Sequence, residues 1–318
     1  MRITDVRRAT AIALAALALF GVAVYGVASS SGDDDEPIAL AGALLARTVD
    51  EAAPRADGLL QARSPAGDGR RVPLRCKRVH VSATGVGLCL QTAANGLDYQ
   101  GVVFGPDFEP RRRFAVPGVP DRARVAPDGR HAAYTSFDAN GEQGYFETTG
   151  PFSTDTRIVD TSTGEVVLRL EDLSVSRAGK PFDPARRELW GVTFARDGRY
   201  YATLAAAGQH HLIEGRIGSD RARVLRERVE CPSLSPDGTR IAYKRRIGDA
   251  NRWRLHVLEL DSGRDVALAE RRSIDDQPEW LGDDTVVYSD DRSVLAVPAN
   301  GSGTAERVMD GATSPSTG

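Results

Sequence analysis

The stretch Ser235–Tyr243 reads SPDGTRIAY, and Ala126–Tyr134 reads APDGRHAAY. In each, a tight Asp-Gly turn leads into an alternating run that ends on an aromatic residue, which is the pattern of a β-hairpin. Holding the pattern fixed shows further copies. Ala195-Arg196-Asp197-Gly198 precedes Arg199–Thr203, Ser82-Ala83-Thr84-Gly85 precedes Val86–Leu90, and a worn copy runs from Gly282 to Tyr288. The turns fall at 84, 128, 197, 237 and 282, so the steps are 44, 69, 40 and 45. Self-similarity at this period marks a repeat architecture.

A second regular element completes each unit. Strands end in Ser/Thr-Gly turns in RIVDTSTGEVVLRL (Arg157–Leu170) and HVLELDSGRDVALA (His256–Ala269). Each unit is therefore expected to hold four short strands. One such sheet buries too little apolar surface and leaves open edges, whereas radial stacking remedies both faults. The expected fold is all-β, a β-propeller of four-stranded blades. Five units are legible. A sixth is buildable from residues near 38–71 and the C-terminal segment, where Val294–Val297 and Glu306–Met309 look strand-like, so five or six blades are expected, with six favoured.

The chain has 318 residues, 41% of them hydrophobic, and a net charge of -3, enough for a full core and with no polycation suited to nucleic acid. Residues 9–28, ATAIALAALALFGVAVYGVA, carry no charge and are long enough to cross a bilayer. Arg2, Arg7 and Arg8 precede them and Asp33–Glu36 follow. The arginines are expected to stay in the cytoplasm, with the rest of the chain outside. The stretch reads as a transmembrane signal anchor; alternatively Gly26 and Ala28 serve a signal peptidase and the chain is released. The expected divisions are a cytoplasmic N-terminus (1–8), the anchor (9–28), a linker (29–71), the propeller (72–310) and a disordered tail (311–318).

Three cysteines fit an oxidising compartment. Cys76 and Cys89 lie in two strands about the first unit's turn, where they either bridge across the hairpin or stay as two buried thiols. Cys231 is left over as a buried free thiol.

The SPDGTRIAY and APDGRHAAY units resemble the WD-like repeats of TolB-type propellers. With the anchor, the Arg75-Cys76 and Gly87–Leu90 pair, WGVTFARDG (190–198) and ECPSLSPDG (230–238), the chain is similar to a group of membrane-associated, TolB-like bacterial proteins without established activity. That resemblance implies six blades and a scaffold or translocation-associated part in the cell envelope. It is specific for fold and weak for biochemistry.

No G-x-S-x-G elbow, H-E-x-x-H helix or phosphate-binding G-x-x-x-x-G-K-[ST] loop occurs. His210 and His211 are adjacent, so on a strand they point to opposite faces and make a poor joint metal site. The doublets Asp275/Asp276, Asp283/Asp284 and Asp290/Asp291 match no dedicated calcium loop. Trp190 and Trp280 read as core. No catalytic, cofactor or metal residue is assigned, and the chain is expected not to be an enzyme.

Antiparallel strands alternate their connections between two ends. The Asp-Gly and Ser/Thr-Gly turns share one face, and the long step of 69 comes from two insertions in connections to the other. The first insertion (137–156) carries Tyr145, Phe146 and Phe152; the second (171–189) carries Arg177, Lys180, Phe182, Arg186 and Arg187. Aromatics and arginines are common interface anchors, so the face opposite the Asp-Gly turns is the expected partner-binding surface; packing of these residues onto the rim is the plainer alternative. The function expected is a non-enzymatic, membrane-anchored, extracytoplasmic propeller binding a protein or cell-envelope ligand. A propeller enzyme with an axial metal or acid pair, and an envelope sensor, are the alternatives.

Overall fold

The computed structural model describes residues 42–49, 58–64, 69–137, 153–206, 208–248, 252–290 and 292–318. Its strands form six sheets, and the six innermost strands follow one another in a closed ring. Blade 2 holds Arg78–Val81 (β4), Gly87–Thr92 (β5), Tyr99–Phe104 (β6) and Pro110–Val116 (β7). Blade 3 holds Val119–Val125 (β8), His131–Phe137 (β9), Thr154–Asp160 (β10) and Val166–Arg169 (β11). Arg187–Phe194 (β14), Arg199–Ala206 (β15), Gln209–Arg216 (β16) and Arg221–Glu227 (β17) make blade 4. Glu230–Leu234 (β18), Arg240–Arg246 (β19), Trp253–Glu259 (β20) and Asp265–Ala267 (β21) make blade 5. Blade 6 is Glu279–Leu281 (β22), Thr285–Ser289 (β23), Ser293–Pro298 (β24) and Glu306–Asp310 (β25).

Blade 1 joins the two ends of the propeller. Leu44–Thr48 (β1), Leu59–Arg63 (β2) and Gly69–Arg75 (β3) supply its outer three strands, and Ala312–Thr317 (β26) is its innermost. This corrects two expectations. Residues 44–48, 59–63 and 69–75 are blade strands where a linker to residue 71 is expected, and residues 312–317 are a strand where a disordered tail is expected. The additional unit expected from residues near 38–71 and the C-terminal segment is blade 1, and it does not use Val294–Val297 or Glu306–Met309, which complete blade 6. The tail's polar reading fails for a steric reason. Inner strands are crowded about the axis, so the small residues of ATSPST fit there, and their hydroxyls find partners. Val81 N–H donates to Ser316 Oγ at 2.8 Å, and Thr317 Oγ1 donates to the Trp280 carbonyl at 2.6 Å.

Repeated local rules build each blade. The Asp-Gly turns close first-to-second strand hairpins: Gly129 has φ +73°, and an added Cβ would lie 2.5 Å from Thr84 Oγ1 in the neighbouring turn, so both the conformation and the close approach require glycine. The aromatic residue of the motif is buried, and in blades 5 and 6 its hydroxyl meets a carboxylate. Tyr243 donates to Asp265 at 2.7 Å and Tyr288 to Glu270 at 2.5 Å. Trp280, only 1% exposed, donates from Nε1 to the Ser233 carbonyl at 2.8 Å, tying blade 6 to blade 5.

The second insertion adds to a sheet. Ser174–Arg177 (β12) pairs in parallel with β17, and Lys180–Pro181 (β13) pairs with β12, so blade 4 has six strands instead of four. Leu173 and Val175 are buried in the core shared by blades 3 and 4. This apolar spacing anchors the hairpin, and Pro181 leaves the new edge poor in donors.

Cys76 and Cys89 form a disulfide, with an S–S distance of 2.08 Å. Cys76 follows β3 and Cys89 lies in β5, so the bridge fastens blade 1 to blade 2 beside the junction where the chain passes between them. Replacing both with serine is expected to cost about 3 kcal/mol by enlarging the unfolded ensemble. Urea unfolding of the oxidised protein and the double variant checks this, and equal midpoints would refute it. Cys231 is the free cysteine among the described residues and is buried. Among the described residues no helix is long and apolar enough to cross a membrane; the expected anchor, residues 9–28, lies outside them.

Candidate functional site

All six inner strands run in the same direction and end on the face that carries the Asp-Gly turns. Their ends enclose a funnel of about 350 Å³. Val125, Phe194, Leu234 and Trp280 form an apolar collar, and turn residues such as Ser82, Pro127, Arg196 and Asp237 form the rim. The walls are thus made largely of hairpin turns, whose conformation is set locally.

The floor is charged. His80 of β4, Arg124 of β8 and Glu279 of β22 are buried together at the axis. Arg124 forms an ion pair with Glu279, and its Nη2 also donates to the Pro278 carbonyl at 3.3 Å. His80 Nδ1 accepts the Val125 N–H at 3.0 Å, which places the ring proton on Nε2, 3.0 Å from Glu279 Oε2. Burial, and then the Arg124 charge, lower the His80 pKa. Burial alone would raise the Glu279 pKa, but Arg124 and the His80 hydrogen bond outweigh it and hold the carboxyl below its usual range. Arg124 Nε has no partner among the described residues.

Beneath this floor lies a cavity of about 20 Å³. Arg78 reaches both Asp121 and Asp276 at 3.3 Å, and Arg122 reaches Asp121 at 2.6 Å. Towards the opposite face, the fully buried Lys244 pairs with Glu230 at 3.0 Å and with Asp275. Trp253 Nε1 donates to the same Glu230 at 2.6 Å, and His210 Nδ1 lies 3.1 Å from it.

The axis therefore gathers acids and a histidine, the kind of side chain an axial enzyme would use. Each of these carboxylates, however, faces a cation, and both nitrogens of His80 are engaged. In this arrangement both His80 nitrogens are taken up by protein groups, and the charges of the floor are paired with one another.

The neutral, depressed state of His80 has a pH consequence. On acidification through its unfolded value of 6.5, the unfolded chain binds a proton that the folded chain does not, so stability falls as pH falls. His211 and His256 are shifted in the same direction, chiefly by burial. The urea midpoint is expected to drop between pH ~7.5 and pH ~5.5, with a shallower drop in His80→Gln. An equal drop in that variant would remove His80 from the account.

The structure distributes the sequence-derived site residues unevenly. Tyr145, Phe146 and Phe152 lie outside the described residues. Arg177, Lys180 and Phe182 come together on the β12–β13 hairpin at the outer edge of blade 4, with the Arg177 guanidinium 5.7 Å from the centre of the Phe182 ring and paired with Glu227. Phe182 is half-buried and meets His211 edge-on at 5.3 Å. Arg186 is exposed. Arg187 opens β14 and donates to the Glu171 carbonyl at 2.6 Å. His80, Arg124 and Glu279 escaped the sequence reading. Their signal was a charged residue inside a first strand, in RVHV, DRARV and PEWL, where an apolar pattern would otherwise continue.

No protein-family model matches the sequence, and no characterised protein matches it by sequence. Solved structures do match. TolB from Acinetobacter baumannii is 16% identical with a TM-score of 0.61, the match covering 86% of this chain and 66% of that one, just under two thirds of its length. A putative TolB from Agrobacterium tumefaciens is 13% identical with a TM-score of 0.52, over 84% of this chain and 88% of that one. A chain of a nidogen/laminin complex is 12% identical with a TM-score of 0.55, over 86% and 97%. At such identities the likeness is one of fold, and the fold of this chain is the six-bladed propeller of TolB-like proteins.

Proposed function

We propose that this chain is a non-enzymatic binding protein, a membrane-anchored and extracytoplasmic propeller that engages a protein or cell-envelope ligand. The observation that carries this reading is the funnel on the Asp-Gly face. It offers a concave, apolar-collared surface of ligand-binding size above a floor whose ionisable groups are neutralised by one another. The charge-free residues 9–28, flanked by arginines before and acids after, support the anchor and its orientation. The Cys76–Cys89 bridge supports an oxidising compartment.

A second surface has its own support. Arg177 stacked on Phe182, beside exposed Lys180, is an aromatic–cation arrangement common at interfaces, and it keeps the outer edge of blade 4 and the neighbouring insertions as a partner-binding candidate. One experiment separates the two. Tagged full-length protein is crosslinked in membranes and recovered alongside an Ala83→Trp/Ala195→Trp variant, which fills the funnel rim, and an Arg177→Ala/Lys180→Ala variant. Partners lost only on filling the rim assign the ligand to the funnel, and partners lost only with the second variant assign it to blade 4. Retention of all partners by both folded variants would overturn both surfaces.

A further inference from the structure

The outer strands of blades 1 and 2 differ from the others in charge. β3 and β7, in neighbouring blades, together carry Arg70, Arg71, Arg75, Arg111, Arg112 and Arg113 and no acidic residue, in a chain whose net charge is -3. Elsewhere several outer-strand arginines meet carboxylates: Arg169 meets Asp155 at 3.3 Å, Arg226 meets Asp265 at 3.2 Å and Arg307 meets Asp310 at 3.1 Å. On β7, Arg111 has a single distant carboxylate, Asp107 at 3.7 Å, and Arg112 donates to the Ser162 carbonyl. Arg71 and Arg113 are exposed and have no partner among the described residues. Positive charge is therefore concentrated on one sector of the rim, with Arg71 and Arg113 left without a carboxylate among the described residues. The Cys76–Cys89 bridge, which begins one residue after β3, fastens that strand to β5 of blade 2.

We propose that this arginine-rich rim of blades 1 and 2 docks on the phosphate headgroups of anionic phospholipids. The occupant follows from charge complementarity and from the chain itself. Leu44 of β1 follows the charge-free stretch ending at Ala28 by sixteen residues, at most about 55 Å of extended chain, so if that stretch is the anchor the tether is short enough to keep blade 1 within reach of lipid headgroups. The inference rests on the anchored reading in this respect. Guanidinium groups pair with phosphate oxygens through two parallel N–H donors, and the unpaired N–H groups of an outer strand add further donors. Docking of this kind weakens as salt shortens the range of the field, to about 8 Å at physiological ionic strength. The plainer alternative is that the arginines only discourage edge-to-edge pairing, which requires no lipid.

The test uses full-length protein in nanodiscs of phosphatidylcholine alone or mixed with phosphatidylglycerol, with hydrogen exchange read over residues 69–75 and 110–116. Exchange there is expected to slow several-fold only with phosphatidylglycerol, and the slowing is expected to vanish in high salt and in Arg71→Glu/Arg113→Glu. Both positions are exposed, so that variant is expected to keep the parent's unfolding midpoint. Equal exchange in the two lipids, while the protein stays in the discs through a high-salt wash, overturns the docking and leaves the anchor standing. If the protein washes off phosphatidylcholine discs, the anchor fails instead. Flotation with phosphatidylglycerol vesicles then decides the docking, which requires binding lost in the double variant. Protection by soluble polyphosphate without protection by lipid overturns the membrane assignment.

Discussion

Deleting residues 312–318 is expected to abolish cooperative folding of the propeller. β26 is the innermost strand of blade 1 and pairs along its length with β1, so the deletion removes the only covalent return of the chain to its starting blade. It also strips partners from both neighbours in the ring, the Val81 N–H in blade 2 and the Trp280 carbonyl in blade 6. An open ring exposes two inner faces together, including the apolar cluster of Leu44, Ala46, Val287, Val294 and Ala312. A domain is stable by only about 5–15 kcal/mol, and the loss of a central buried strand is expected to consume most of that margin. Circular dichroism and urea unfolding check the result. A variant that melts cooperatively within a few degrees of the parent would show that the ring does not depend on this strand.

The second large effect is expected at the floor of the funnel. Arg124→Met leaves Glu279 buried without its cation, and Glu279→Gln leaves Arg124 without its anion. Breaking one side of a buried pair costs about 3–5 kcal/mol, whereas replacing both partners with apolar groups of similar volume is often nearly neutral. The Arg124→Met/Glu279→Leu variant is therefore expected to be more stable than Arg124→Met alone. Urea midpoints of the three variants against the parent measure this. Single substitutions costing less than about 1 kcal/mol would mean that water reaches the floor and screens the pair as at a surface. His80 gives an internal control, because loss of the neighbouring Arg124 charge raises its pKa back toward the unfolded value and makes the fall in stability on acidification smaller.

The blade motif was legible because its determinants are local. Asp128-Gly129 and Asp237-Gly238 form hairpin turns through their own backbone preferences, and the run to Tyr134 or Tyr243 alternates with the period of a strand. Trp190 and Trp280 read correctly as core, since both begin or occupy an inner strand. The adjacent histidines also behave as strand geometry requires: His211 is 2% exposed while His210 turns to Glu230. Cys76 and Cys89 could be placed about one turn, although their bridging rests on a contact between blades.

Blade 1 was harder to see because its first and second strands, β26 and β1, are not joined by a hairpin and lie more than two hundred residues apart in the chain. ATSPST carries no apolar alternation, and only the crowding at the axis makes it an inner strand. The second insertion has the composition of a surface loop, yet Leu173 and Val175 find the core of blades 3 and 4 and draw β12 onto the edge of β17. Likewise Arg124 and Glu279 are 155 residues apart, and nothing near either one indicates the other.

The amino-acid sequence by itself determined that the protein is a propeller of repeated four-stranded units, because turn chemistry and strand alternation act over a few neighbouring residues. Ring closure by β26, the extra strands of blade 4 and the charged floor of the funnel were decided only by the tertiary structure, because each depends on pairing and desolvation between segments that the chain brings together only on folding.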